Sequence, residues 1–184
     1  RSSAASDVYK RQVFNGPVAS RPQAASQSIY VSKPSATDPS VAPAGHENLF
    51  VLVPVPADPS VGHGNMYRGD ASEQVQRIAD AAIEQIAARC GVAGLGRRIV
   101  VKQTLGPADF AERYNAWSGG SIGPAHTLRQ SAFLRGSNKS RKLDSLMYAG
   151  ATTTPGVGVP MCLISAENVL KRVRGDRSSG PLDH

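Results

Sequence analysis

The residues of this sequence best placed to do chemistry are the backbone atoms of one turn. Ala151 to Pro160 reads ATTTPGVGVP, with an apolar stretch, Leu143 to Ala149, leading in. Gly156 and Gly158 permit close backbone approach and torsions that side chains forbid. A helix is expected to start at the far end of the turn. Its first amides have no intrahelical partners and carry partial positive charge. Such an end can face an anionic or carbonyl-rich ligand. Two glycines at this spacing also occur in plain turns, so the residues alone leave both readings open. No side chain stands out as an acid or base. His126 is a polar candidate, but a packed or exposed histidine is the better reading. Asp38 reads as shaping the turn at Pro39 rather than as a catalytic group.

The elements that must hold this turn follow from pattern. Ser28 to Lys33 and Asn48 to Val55 read as two strands joined by a Pro- and Ser-rich turn. Residues 57–69 read as a loop. The clearest helix is predicted over 71–90, with Val75, Ile78, Ala82 and Ile86 on one face. Asp70 is its expected cap, Glu73 completes a capping-box-like spacing, and Gly91 stops it. Residues 98–104 read as a strand. Gly106-Pro107 opens a short helix that Asp109 favours and that fades near Ser118-Gly119-Gly120. Residues 121–142 read as loop, with a turn of helix around 126–131. Leu143 to Ala149 reads as a short strand and Met161 to Val173 as a helix. No internal repeats are evident.

Composition narrows the function classes. The 184 residues suit one domain of ordinary size, and the formal net charge is +7. Basic residues cluster at Arg135, Lys139, Arg141 and Lys142, and again at Lys171, Arg172, Arg174 and Arg177. Such clusters suit a solvated face, nucleic acid or an anionic membrane surface. Nucleic-acid binding is not expected, because stacking aromatics are missing: Phe133 alone lies near the first cluster. Cys90 and Cys162 make no disulfide framework and read as small buried hydrophobes in a reducing compartment. None of the four histidines pairs with Cys or Glu at ligand spacing, so no metal site is expected. No stretch approaches the ~20 apolar residues of a membrane span. Residues 1–12, RSSAASDVYKRQ, read as a translated adapter scar, and 13–27 as a disordered or partial segment. With no Met near the start, the chain reads as a fragment.

A family resemblance runs through the chain in four ordered blocks. LMYAGATTTPGVGVP resembles the closing flavin-contact motif of bacterial FAD-dependent carotenoid desaturases of the phytoene-desaturase type, whose family form is close to LYFVGAGTHPGGGVPG. HTLRQSAFLRGSNKSRKLDSL, KPSATDPSVAPAGHENLFVLVPVP and GPADFAERYNAWSGGSIGPAHTL resemble further runs of that family. Together they cover nearly all of residues 28–173.

The resemblance implies an α/β flavoprotein of two domains. Residues 28–142 would form part of a sheet-and-helix substrate domain. Residues 143–173 would supply the last strand and helix of a Rossmann-like FAD domain, with 174–184 a flexible tail. The positions matching the flavin-side turn are Gly150, Thr154, Pro155, Gly156, Gly158, Val159 and Pro160. The chain departs from the family pattern at Thr154, where His is common, and at Gly106, Gly136, Val157 and Met161. The GxGxxG fingerprint of such a domain is absent, and Gly94 and Gly96 lie between a helix and a strand, the reverse of the required order. The implied activity is desaturation of a phytoene-like polyene, with this fragment inactive by itself. Alternatives are a related carotenoid isomerase or oxygenase, or a non-catalytic basic module. A cytoplasmic enzyme meeting its substrate at a membrane surface is implied, with Arg135, Lys139, Arg141 and Lys142 as part of a basic rim.

Overall fold

The computed structural model describes residues 28–124, 130–131 and 134–182. The expected scar at 1–12, the segment 13–27, His126 and most of the helical turn expected at 126–131 lie outside the described residues. The chain divides into two compact units at Gly119/Gly120.

In the first unit, β1 (Tyr30–Ser32) pairs antiparallel with β2 (Phe50–Leu52), Val31 opposite Val51. Edge-to-face contact between Tyr30 and Phe50, with ring centroids 6.4 Å apart, ties the two strands together. The long turn between them is fastened by Glu47, which accepts from Lys33 Nζ at 3.0 Å and Ser35 Oγ at 2.6 Å. Asp-Pro-Ser-Val occurs twice, at 38–41 and 58–61, and forms the same 3-10 turn each time. The Asp side chain accepts from the Ser amide at 2.9 Å in both copies. Asp38 therefore has the turn-shaping role expected of it. The Ser40 hydroxyl, and then its amide, hold the Asp38 carboxyl below the usual carboxylate range.

Helix α1 (Glu73–Cys90) buries Val75, Ala82 and Ile86 and leaves Ile78 half-buried. Its stop at Gly91 is as expected, with φ 65°. Its start is not: Ser72, not Asp70, occupies the cap position, and no side chain caps the helix. Ser72 Oγ instead donates to the His63 carbonyl at 3.0 Å, which ties the helix entry to the preceding loop. Cys90 is exposed and Cys162 half-buried, so neither is the buried hydrophobe expected. Cys90 is the last residue of α1, a full turn beyond Ile86, where the buried face has ended.

The strand expected at 98–104 does not form. Helix α2 (Leu95–Arg98) ends there, and Val100 and Val101 are about three-quarters exposed. An apolar run makes a strand only if a neighbour takes its hydrogen bonds. Here a side chain substitutes for that neighbour. Asn65 Nδ2 donates to the Lys102 carbonyl at 2.9 Å, and Asn65 Oδ1 accepts from the Thr104 amide at 2.7 Å.

Helix α3 (Pro107–Tyr114) starts where Gly106-Pro107 predicts and ends earlier than expected, at a left-handed Asn115. Asp109 is 2% exposed, and its Oδ2 accepts from the Gly64 amide at 2.6 Å and the Gly106 amide at 2.8 Å. Gly64 passes so close to Thr104 that a Cβ would lie 1.9 Å from its carbonyl oxygen. Asp109→Ala would strip two buried amides of their acceptor, at about 1–3 kcal/mol each. In the purified chain, amide exchange at Gly64 and Gly106 is expected to accelerate by two orders of magnitude or so. Unchanged protection at both would refute the clamp.

In the second unit, the strand expected at 143–149 is also missing. The described residues contain no parallel sheet for it to join. Among the described residues two isolated bridges form, Gly136 with Thr153 in parallel and Lys139 with Met147 in antiparallel sense. Helix α4 (Val159–Arg174) forms as expected, preceded by Gly158 and stopped by a left-handed Gly175. The mixture of helix and sheet agrees with an α/β chain, although the only sheet among the described residues is the antiparallel pair β1–β2.

Candidate functional site

The turn at 150–160 is held from beneath by a buried polar cluster. Asn138, Thr153 and Ser165 are 4%, 6% and 0% exposed. Asn138 Nδ2 lies within hydrogen-bond distance of four acceptors. They are the Tyr148 carbonyl at 3.0 Å, the Thr154 carbonyl at 3.1 Å, Thr153 Oγ1 at 3.2 Å and Ser165 Oγ at 3.0 Å. Ser165 Oγ, on α4, accepts from the Gly150 amide at 3.0 Å and sits 2.9 Å from Thr153 Oγ1. Thr153 Oγ1 donates to the Gly150 carbonyl at 3.0 Å. One amide and two hydroxyls thus connect the segment at 138, both ends of the turn's first half and the helix that follows.

Arg135 supports the same turn from another side. It is 5% exposed, and its guanidinium donates to the Ala151 carbonyl at 2.9 Å and the Ile122 carbonyl at 3.2 Å. Longer contacts reach the carbonyls of Gln130 and Pro124. A buried cation collecting carbonyl oxygens is a structural post. Arg135 therefore does not belong on a solvent-facing basic rim, where sequence had placed it. Lys139, Arg141 and Lys142 are exposed.

The structure brings the predicted turn residues together in one unit. Thr154 donates from its amide to the Gly136 carbonyl at 2.8 Å, and its peptide bond to Pro155 is cis. Gly156 is buried, while Gly158, Val159 and Pro160 are exposed. Gly150, Gly156 and Gly158 have φ of 116°, 144° and 120°, which L side chains rarely adopt. A Cβ at Gly150 would meet nothing within 4 Å, and one at Gly156 or Gly158 would make only ordinary contact at 3.8 Å. The glycines thus serve backbone shape, and the space beside Gly150 is open while Gly156 lies against Arg135. The first turn of α4 is solvent-facing and has no side-chain cap.

Sequence reasoning missed Asn138, Thr153, Ser165 and the supporting role of Arg135. Asn138 stands in a Ser-, Lys- and Arg-rich run that reads as surface, and Ser165 is a lone serine inside a helix. The signal available was that Arg135 and Asn138 lie within the block HTLRQSAFLRGSNKSRKLDSL, which carries part of the family resemblance. Among the described residues no group of His, Cys, Asp and Glu is arranged to hold a metal.

Comparison with known proteins agrees with the resemblance. No protein-family model matches the chain. Among curated proteins, the chain is 48% identical over 147 residues to a carotenoid 3,4-desaturase of Haloarcula japonica, covering 80% of the chain and 28% of that protein. It is 32% identical over 169 residues to a 4,4'-diapophytoene desaturase of Staphylococcus aureus strain MRSA252, covering 92% of the chain and 32% of that protein. The chain therefore spans about a third of the length of the curated relatives it matches. Both similarities run through most of its residues, and the chain is therefore homologous to a part of carotenoid desaturases of the phytoene-desaturase type.

Proposed function

We propose that this chain contributes the flavin-side turn and part of the substrate-binding region of an FAD-dependent carotenoid desaturase acting on a phytoene-like polyene. The observation that carries the reading is the turn 150–160, whose open glycine face is fixed from below by buried Asn138, Thr153 and Ser165. This geometry fits a flat cofactor edge: the backbone at Gly150 and Gly158 can be approached closely, and the amides opening α4 face outward. Thr154, Pro155, Val159 and Pro160 complete the residues that would line it. FAD, when bound, accepts the hydride equivalents removed from adjacent carbons of the polyene. The protein's part is to position the cofactor and exclude water, and no side chain is assigned as acid or base. Residues 28–142 are assigned to the substrate side, and residues 143–173 to the end of a Rossmann-like FAD domain.

A chimera tests this reading. In it, this chain replaces the aligned stretch of the Haloarcula japonica carotenoid 3,4-desaturase, so that the other parts of a full-length enzyme are supplied. Incubated with phytoene, the chimera is expected to give products with lengthened conjugation, and the 184-residue chain alone none. A flavin-loaded chimera that only isomerises the polyene, or leaves it unchanged, would overturn the desaturase assignment.

The same enzyme is proposed to work as a peripheral membrane protein in the cytoplasm. No helix among the described residues is long and apolar enough to cross a membrane, and the chain is basic. Polyene substrates are almost insoluble in water, so they are met in lipid. With Arg135 buried, the rim reduces to Lys139, Arg141 and Lys142, each contributing roughly 1 kcal/mol near an anionic surface. Co-sedimentation of the chimera with vesicles is expected to fall as salt rises. Failure to sediment even at low salt would refute it.

A further inference from the structure

The two basic clusters, some thirty residues apart in sequence, line one cavity of about 1380 Å³ in the second unit. Lys139, Arg141 and Lys142 contribute from one segment, and Lys171, Arg172 and Arg177 from the end of α4 and beyond. Only two carboxylates, Asp144 and Asp176, share the lining. Asp144 is taken by Lys139 Nζ at 3.1 Å. Asp176 accepts from the Ser178 amide at 2.7 Å. The amide and hydroxyl of Ser178, with Lys171 and Arg174 nearby, hold its carboxyl below the usual range. Lys171 is anchored on Ser178 and the Gly180 carbonyl. Arg141, Lys142, Arg172 and Arg177 have no side-chain hydrogen bond or ion pair among the described residues.

Cations gathered around one cavity repel each other, and a bound anion removes that cost. Guanidinium groups on two sides favour an anion with several oxygens in different planes. Ser137 and Ser140 also line the cavity. Their hydroxyl oxygens accept from the amides of Lys139 and of Lys142 and Leu143, each at 3.1 Å. Each hydroxyl keeps its hydrogen to donate.

We propose that this cavity is a phosphate-binding site, formed jointly by the two basic clusters. Its wall also takes in Thr152, Thr153 and Thr154 of the neighbouring turn, but the phosphate site does not depend on the desaturase reading. The phosphate can be that of a lipid headgroup or a free phosphate, and the two sources are separable by experiment.

The test uses the chimera and three probes: inorganic phosphate, vesicles of phosphatidylglycerol in phosphatidylcholine, and vesicles of phosphatidylcholine alone. The variant Lys142→Gln/Arg172→Gln removes one free cation from each cluster. The control Arg97→Gln/Arg98→Gln makes the same change in net charge at exposed positions in the first unit. Calorimetric titration is expected to show phosphate binding that weakens on the order of tenfold in the cavity variant and not in the control. Binding of inorganic phosphate with no preference for phosphatidylglycerol vesicles assigns the site to free phosphate. Phosphatidylglycerol-dependent binding that inorganic phosphate displaces, and that the cavity variant loses, assigns it to a headgroup. If neither probe binds, or if cavity variant and control behave alike, the site is refuted.

Discussion

Purified with its flavin, the chimera is expected to carry close to one FAD per chain, and its Gly158→Val variant is expected to lose most of it. Gly158 has φ 120° and ψ 149°, a region open essentially to glycine alone. Its carbonyl accepts from the Cys162 amide at 2.9 Å, so it also sets the first hydrogen bond of α4. Space is not the obstacle, since the nearest atom to an added Cβ is Met161 Cγ at 3.8 Å. The cost lies in the backbone. Holding a β-branched residue there costs on the order of 1–3 kcal/mol, and relaxing it moves the start of α4 away from the proposed cofactor edge. Either route weakens flavin retention by about tenfold or more. Flavin absorbance per protein after gel filtration is the measurement, with Gly180→Ala as the control at an exposed glycine of ordinary torsion. The 184-residue chain alone is expected to emerge without flavin. Full flavin content in Gly158→Val would show that the turn does not face the cofactor, and tight stoichiometric flavin in the chain alone would show that the turn is not one part of a divided site.

What the sequence made legible was local. Helices α1 and α4 and the start of α3 follow from periodicity and from Gly and Pro at their ends, because those signals act within a few residues. The pairing of β1 with β2 was legible for the same reason: two apolar runs flank a turn rich in Pro, Ser and Asp. Residues 98–104 and 143–149 defeated the pattern because an apolar run specifies a strand only together with its neighbour. Asn65 supplies the partner in the first case, and scattered bridges do in the second. Of the site, the glycines were visible because their torsions are written in residue type. Their support was not, because Asn138 and Ser165 are 27 residues apart and acquire their meaning only on contact. Arg135 shows the same limit. Grouped by sequence with Lys139, Arg141 and Lys142, it is buried by its backbone-carbonyl partners while they remain outside, and the clusters that do share a surface are joined by the fold alone.

Replacing Asn138 is expected to release the turn more completely than any other single change to its support. Asn138→Leu keeps nearly the same volume and removes the donor that, among the described residues, reaches the carbonyls of Tyr148 and Thr154 together. The hydroxyls of Thr153 and Ser165 can still pair with each other at 2.9 Å, so the two carbonyls bear the loss. Two part-buried acceptors left without this donor cost about 1–3 kcal/mol between them. The loss is local, so the readout is local as well: hydrogen exchange at the Gly150 and Thr154 amides, which bond Ser165 Oγ and the Gly136 carbonyl. In the chimera those two amides are expected to exchange at least thirtyfold or so faster in Asn138→Leu. Amides of α1 in the first unit are expected to be unchanged. Asn48→Leu, which removes an exposed bond to the Val41 carbonyl, serves as the comparison and should leave the turn untouched. A cycle with Ser165→Ala separates support from bulk: because both side chains hold the same turn, the double variant should cost clearly less than the two single effects added. Additive effects, or exchange at Gly150 and Thr154 that stays at the parent rate, would mean that the turn keeps its shape without the cluster beneath it.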